Sequence, residues 1–471
     1  MAKLKLTGKD IRNIGFEEGP SVGLAMEVMN RHYKFHSSED ALEVLKNVLA
    51  NPLGFAVDEV LGKVAHKLIT HENSSPKEIP MREQGVDYCV FGAEQIEEGA
   101  WQQMKTAVRL PIAVGGALMP DAHQGYGLPI GGVLATENAV IPYGVGVDIG
   151  CRMCLSVFPV NEKYIHGKEG QLENMLLDNT RFGRATFKSP KDHEVIERSE
   201  FKEINMLKQL KDKAWSQLGS SGSGNHFVEF GVVQLEESNH FHVEAGNYVA
   251  VLSHSGSRNL GATIAKHFTS VAKEKCRLPQ HSGHLAWLNL DSEEGQEYWS
   301  AMNLAGDYAS ACHHQIHERL TKAFGAEVMI RVENHHNFAW KEMWDGKEVI
   351  IHRKGATPAH AGTLGIIPGS MTAPGFIVIG KGNTASLNSA AHGAGRAMSR
   401  SKAKESISGK MFRDELKRAG VRLIGAGLDE APMAYKNIHT VMKHQTNLVD
   451  VAGVFYPRIV RMCGDDSPAE D

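Results

Sequence analysis

Asp148 and Cys151 stand three residues apart in GVGVDIGC, where the glycines let the backbone turn so that a carboxylate and a thiolate can face one point. Carboxylate, thiolate and imidazole together form a ligand set for a divalent metal, and here the imidazoles must come from elsewhere in the chain. Three histidines end strand-like or glycine-rich segments: His226 in GSGNHFVEF, His254 in NYVAVLSH and His336 in ENHHNF. Each alone reads as a satisfied core or surface histidine; together they favour a metal site. Asp121 and His123 in MPDAHQGYG form a second polar pair inside an apolar stretch. They suit metal ligation, acid/base work or the orientation of metal ligands, with a buried turn held by an Asx hydrogen bond as the bland alternative.

HGAGR sets His392 beside Gly393, Ala394, Gly395 and Arg396, and Arg400 follows four residues on. Backbone N–H groups at a helix start and arginine forks bind phosphate oxygens, and a neutral imidazole nitrogen can attack phosphorus. Close Gly/Ala helix packing around a buried histidine is the competing reading. The pattern points to a metal-dependent enzyme acting on phosphate groups with His392 as nucleophile. GFIVIGK, from Gly375, fits the start of a P-loop pattern, but its interior is β-branched and Gly382 stands where Ser or Thr would hold magnesium, so it reads as a strand.

These groups need a scaffold. Ser37 to Asp40 reads as a capping box before ALEVLKNVLA, Pro52 breaks the pattern and AVDEVLGKVAHKLI resumes helical spacing, so residues 1–75 read as a helical extension. HENSSPKEIP gives a linker signal. Residues 85 to 160 read as strand and turn, not helix. NYVAVLSH reads as a buried strand leading through SGSRN into a helix, GATIAKHFTSVAKEK; a long helix follows near DSEEGQEYWSAMNLAGDYASACHHQIHERLTKAF, with strands at KEVIIH and GFIVIG. The run SLNSAAHGAGRAMSRSKAKESI is expected to open a helix at its glycines, and the acidic tail, residues 465–471, is expected to be disordered.

The 471 residues, 42% of them apolar, suffice for one large domain or two ordinary ones. A net charge of -4 gives no global basic field, so a polyanion must be met by a local patch. Six scattered cysteines and the lack of an 18-residue apolar run point to a reduced, cytoplasmic protein.

In their order and separations, MPDAHQGYGLPIGGV, GVGVDIGC, GSGNHFVEF, SHSGSRNLG, HRKGAT, IPGSM, HGAGRAMSR and DEAPMAYK resemble the RtcB family of RNA ligases, over about residues 85–464. The resemblance implies an α+β fold: a single large catalytic domain, residues 76–464, with mixed β-sheets and flanking helices around a deep metal-containing pocket. It implies two Mn2+ ions, one held by Asp148, Cys151 and His226 and one by Cys151, His254 and His336, although such a set also takes zinc or cobalt. His392 would attack the α-phosphate of GTP. Asn225, Phe227, Glu229, Ser370 and Tyr435 would line the guanylate pocket with the HGAGR residues, while Arg258 and Arg400 would hold RNA. The implied activity joins RNA 3′-phosphate or 2′,3′-cyclic phosphate ends to 5′-hydroxyl ends, in tRNA splicing or RNA repair, with an archease-like activating protein as a partner.

Three positions depart from the family pattern. Arg152 follows the metal cysteine where the family usually has glycine, Gly375 replaces a serine, and Cys463 stands where a nucleotide-contacting lysine is expected. A phosphoesterase or end-capping paralogue with altered nucleotide preference, and a non-catalytic RNA-binding relative, are the alternatives these departures raise.

Overall fold

The computed structural model describes residues 4, 6–17, 20–74 and 78–464. The chain forms two compact units, residues 1–77 and 78–471. The acidic tail at 465–471 and part of the HENSSPKEIP segment lie outside the described residues.

In the first unit the helices Gly8–Asn13, Pro20–His32, Ser38–Ala50 and Gly62–Ser74 enclose Ile11, Ala25, Met29, Leu45, Val48 and Val64. Ser37 caps the third helix by accepting from the Asp40 N–H at 3.1 Å, as its spacing predicts. The fourth helix starts later than AVDEVLGKVAHKLI suggests. Asp58 Oδ1 accepts from the N–H groups of Val60 (2.9 Å) and Leu61 (2.7 Å), which holds a turn there instead of a helical first turn.

The second unit mixes helices with sheets, as the fold reading requires. Its larger sheet runs in the order Leu364–Ile367, Gly375–Gly380, Val449–Met462, Phe227–Leu235, Gly246–Ser255, Arg152–Asn161 and Ile330–His335, with Arg422–Ile424 paired alongside. The sheet nearly closes. Asn334, on the last strand, donates to the Ile366 carbonyl on the first (3.4 Å) and accepts from the Ile366 N–H (2.9 Å). A five-stranded sheet orders Tyr88–Val90, Ala113–His123, Ile130–Thr136, Lys347–Lys354 and Asn337–Trp344.

Two helices back the larger sheet. Arg258–Lys275 follows the strand carrying His254, and Glu293–Phe324 turns a stripe of Tyr298, Met302, Ala305, Ala309, Cys312, Ile316 and Leu320 inward at heptad-like spacing. Ser292 caps the long helix and Gly325, at φ 77°, ends it.

Two expectations change. Glu98–Ala107 is a helix inside the stretch read as strand and turn; its Ala100, Met104 and Ala107 are buried at helical spacing. HGAGR opens no helix. Ser389–Ala391 is a short strand, the glycines that follow are irregular, and the helix waits for Arg400, where Ser399 caps it by accepting from Lys402 N. Gly395 explains this: it has φ 71°, and a Cβ there would lie 2.1 Å from the Asp121 carbonyl oxygen.

Candidate metal centre and nucleotide pocket

Asp148 and Cys151 sit in the turn between the short helix Pro142–Val145 and the strand Arg152–Asn161. Gly150 makes the turn feasible, at φ 72° and packed so closely on Gly306 of the long helix that a Cβ would lie 2.8 Å from its Cα. The Ser257 N–H donates to Asp148 Oδ1 at 3.1 Å, and the Asn337 side chain donates to the Asp148 carbonyl at 3.3 Å. His226 enters the strand Phe227–Leu235, His254 lies on Gly246–Ser255, and His336 joins the strands Ile330–His335 and Asn337–Trp344.

Sheet register brings these five residues together from four segments, all buried. Cys151 Sγ lies 3.1 Å from His254 Nε2 and 3.4 Å from His226 Nε2. His226 Nε2 lies 3.1 Å from Asp148 Oδ2, and His254 Nε2 lies 3.2 Å from His336 Nε2. These spacings match the ligand-to-ligand edge of about 3.4 Å around a four-coordinate ion with bonds near 2.1 Å. Burial, first of all, holds the His254 and His336 pKa values well below the usual histidine value, so both rings are neutral. His254 Nδ1–H donates to the Asn225 carbonyl at 3.3 Å, which leaves its Nε2 lone pair toward the cluster. Lone pairs converging in a buried cluster repel one another unless a cation sits among them, so this donor set fits a transition metal.

His392 stands beside the cluster, its ring centroid 4.9 Å from that of His336. Asp121, fully buried on the strand Ala113–His123, accepts at Oδ2 from His392 Nδ1–H (2.7 Å) and from the backbone N–H groups of His392 (3.1 Å) and Gly393 (3.3 Å). Two backbone N–H groups already donate to this oxygen, so it is an acceptor, and the ring nitrogen facing it carries the proton, which leaves Nε2 with the lone pair of the neutral ring. The Asx-turn alternative for Asp121 is therefore replaced by a long-range bond to the histidine. His123 Nδ1 instead faces the Asp121 carbonyl at 3.1 Å, and burial lowers its pKa to about 4.

The tRNA-splicing ligase RtcB family model matches residues 103–208 and 184–462. The chain belongs to the RtcB family. It is 32% identical over 421 residues to the RNA-splicing ligase RtcB of Escherichia coli K12, covering 82% of this chain and 97% of that protein. It is 31% identical over 413 residues to the tRNA-splicing ligase RtcB of Thermococcus kodakarensis, covering 72% and 86%. An RNA-splicing ligase RtcB homolog of Entamoeba dispar shares 30% over 413 residues, covering 73% and 77%.

From the Cys/His/Asp cluster the pocket of this RtcB relative extends to apolar walls formed by Phe227, Leu252, Met371, Phe455, Val460 and Met462. Asn225, Phe227, Glu229, Ser370, Tyr435 and His392 through Arg396 all line it. Glu229 is the buried carboxyl among these walls, and desolvation there raises its pKa well above the usual carboxyl value.

The departures fall unequally. Gly375 lines the pocket, and a Cβ there would make only ordinary contact, 3.4 Å from Pro368. Cys463 packs in the apolar cluster with Phe158 and Phe230, while Met462 takes the place on the pocket wall. Arg152 does not add its charge to the site: its guanidinium pairs with Glu333 and donates to the Gly306 carbonyl at 3.2 Å, because strand alternation turns it to the side opposite the pocket.

The arginines read from sequence separate. Arg396 lines the pocket and donates to the Asp429 carbonyl at 2.7 Å. Arg400, beside it, pairs with Asp429 at 3.2 Å and with Glu430. Arg258 is outside the lining. It heads the inward-packed helix Arg258–Lys275, is 1% exposed, and donates to Ser220 Oγ at 3.2 Å and to the Gly183 carbonyl.

Sequence reasoning missed three residues that shape the pocket. Lys354, within the quoted HRKGAT, is buried on the wall and donates to the carbonyls of Tyr126 (2.6 Å) and Tyr143 (3.3 Å); burial lowers its pKa to about 7. Glu430 holds Arg396, Arg400 and Tyr435 at once. Asn337 ties the Asp148 turn to Gly355, whose N–H donates to Asn337 Oδ1 at 2.8 Å. Lys354, Glu430 and Asn337 lie within the quoted runs HRKGAT, DEAPMAYK and ENHHNF, but no local spacing marks their side chains as shaping the pocket.

A second buried group, Cys154, His313 and His317, lies beneath the sheet. His313 Nε2–H donates to the Ser255 carbonyl (3.0 Å), so Nδ1 accepts from Ser253 (2.7 Å). Ser253 then accepts from His317 Nε2–H (2.8 Å), whose Nδ1 accepts from Ser156 (2.8 Å). Every ring nitrogen is used, and the group reads as a hydrogen-bonded polar core. Among the described residues no helix is long and apolar enough to cross a membrane.

Proposed function

We propose that this chain is an RNA ligase that joins 3′-phosphate ends to 5′-hydroxyl ends through a covalent GMP adduct on His392, with GTP as nucleotide and Mn2+ as metal. The observation that carries the reading is the His392 Nδ1–Asp121 Oδ2 bond of 2.7 Å beside the Cys/His/Asp donor set. Asp148, Cys151 and His226 would hold one ion and Cys151, His254 and His336 a second, the thiolate shared between them. When bound, the ions would neutralise phosphate charge and polarise the phosphoryl group.

Asp121 fixes the ring tautomer and favours the imidazolium as it develops, so His392 Nε2 is held as the attacking atom. Its attack on the GTP α-phosphorus forms a P–N bond and breaks the P–O bond to the β-phosphate, releasing pyrophosphate. An oxygen of the RNA 3′-phosphate then attacks that phosphorus, breaking P–N and returning neutral His392. Finally the RNA 5′-hydroxyl attacks the 3′-phosphorus, forms the phosphodiester and expels GMP. A 2′,3′-cyclic phosphate end must first be hydrolysed to the 3′-phosphate. Guanine suits the apolar walls because its two adjacent N–H donors would favour Glu229 as the carboxylate that burial alone disfavours, whereas adenine offers a donor and an acceptor. Arg396, braced by Glu430 and the Asp429 carbonyl, places positive charge on the pocket wall, which favours phosphate.

Incubation with Mn2+ and α-labelled GTP tests the reading. Expected is label on the protein that is acid-labile and alkali-stable and is absent from His392→Ala. Label persisting in that variant, or none in the parent chain, overturns the covalent mechanism. If label forms but RNA ends are capped without being joined, the end-capping alternative replaces ligation.

A further inference from the structure

Tyr126 is out of keeping with its surroundings. It stands in the loop between the strands Ala113–His123 and Ile130–Thr136 with 67% of its surface exposed. Water-exposed aromatic rings are usually free to move, yet this backbone is pinned on each side. The Gly125 N–H donates to Gln103 Oε1 at 3.0 Å, and Gln103 Nε2 donates back to the Gly125 carbonyl. The Tyr126 carbonyl accepts from Lys354 Nζ at 2.6 Å, and Gly127 packs so tightly that a Cβ would lie 3.1 Å from His284 Cβ.

The ring is also oriented by its neighbours. It meets Tyr143 edge-on at 6.4 Å between centroids and tilts against His284 at 5.9 Å, while Lys354 Nζ sits 4.9 Å over the Tyr143 ring. This aromatic group adjoins the reaction centre. Lys354 and Gly355 both line the pocket, and a Cβ on Gly355 would lie 3.1 Å from His392 Cε1. A fixed, solvent-facing ring at the edge of a phosphate-handling pocket has the make-up of a single-strand nucleic-acid subsite, because it offers an unpaired base a π-face already held in place. Because the loop is already ordered, binding costs little further conformational entropy.

We propose that Tyr126 is a stacking platform for an unpaired nucleobase of the RNA strand, close to the end being joined. This rests on the RNA-ligase reading above. The aromatic face supplies affinity without base selectivity, since every base has a π-face, and it fixes the strand's approach so that the terminal phosphate reaches His392.

The test uses a 3′-phosphate RNA oligonucleotide with 2-aminopurine next to its end, mixed with the parent chain and with Tyr126→Ala, Tyr126→Leu and Tyr126→Trp. Stacking on tyrosine quenches the fluorophore. Expected is quenching with the parent, its loss in the Ala and Leu variants, a KM for RNA raised roughly tenfold in both, and recovery of quenching and KM in the Trp variant. Quenching and KM unchanged in Tyr126→Ala, or restored as well by Leu as by Trp, overturn the platform while ligation by the parent still stands. A parent that neither binds nor joins RNA overturns the ligase reading and the platform with it.

Discussion

At the scale of single residues, Asp121 and His392 form the pair on which the proposed chemistry turns, and 271 positions of chain separate them. Asp121→Asn keeps the shape but offers an amide that can donate to Nδ1 and favour the opposite tautomer. The expected outcome is a drop of about a hundredfold or more in the rate of nucleotide labelling, with the thermal unfolding midpoint near the parent's. Single-turnover labelling with α-labelled GTP measures it. Lys354 gives a pH prediction. Its pKa falls from 10.5 to about 7 on burial, so between those values the unfolded chain carries the proton that the folded chain lacks. Stability therefore rises with pH across that window, on the order of 1 kcal/mol per pH unit from this group, and the penalty is fully present below about pH 7. Two N–H bonds of a neutral amine match the two carbonyl acceptors. Denaturant titrations at pH 7 and pH 9 should show the Lys354→Met variant losing most of that rise.

Elements set the geometry that single residues cannot. The turn after Gly246–Ser255 presses Gly256 against Asp148, where a Cβ would lie 2.0 Å from the carboxylate oxygens. Gly256→Ala must push Asp148 away from the cluster; expected is a Mn2+ affinity at least tenfold weaker, read by isothermal titration, because ligand placement dominates such sites. The seam of the larger sheet hangs on Asn334, which bonds Ile366 twice and donates to Thr357 Oγ1 at 2.7 Å. Asn334→Ala leaves these groups buried and unsatisfied, at a cost of about 2–3 kcal/mol measured by denaturant unfolding. HGAGR also belongs at this scale. Its composition suggested a helix start, yet Gly395 must fit over the Asp121 carbonyl, so tertiary contact overrode local pattern. The helix Glu98–Ala107 was missed for a related reason: glycine-rich strands on its C-terminal side coloured the reading of a short segment whose own spacing is helical.

For the whole molecule, each of the two units has a core of its own, and the family match begins at residue 103, inside the second. Residues 1–77 expressed alone are expected to give a helical far-UV spectrum and a cooperative melt, since Ile11, Met29, Leu45 and Val64 are buried within that unit. A non-cooperative melt would show that this core does not suffice.

The sequence alone determined the ingredients: the residue types of the donor set, the histidine in its glycine-rich run, strands such as Gly375–Gly380 and the long helix Glu293–Phe324, all of which are written in local composition and period. Tertiary structure decided the partnerships. Whether Asp121 would cap a turn or orient His392, whether Arg152 and Arg258 would face the pocket or spend their donors elsewhere, and that Lys354 and Glu430 would shape its wall all depend on sheet register between distant segments. No local pattern encodes that register, because a shift of one residue moves every side chain of a strand to the opposite face.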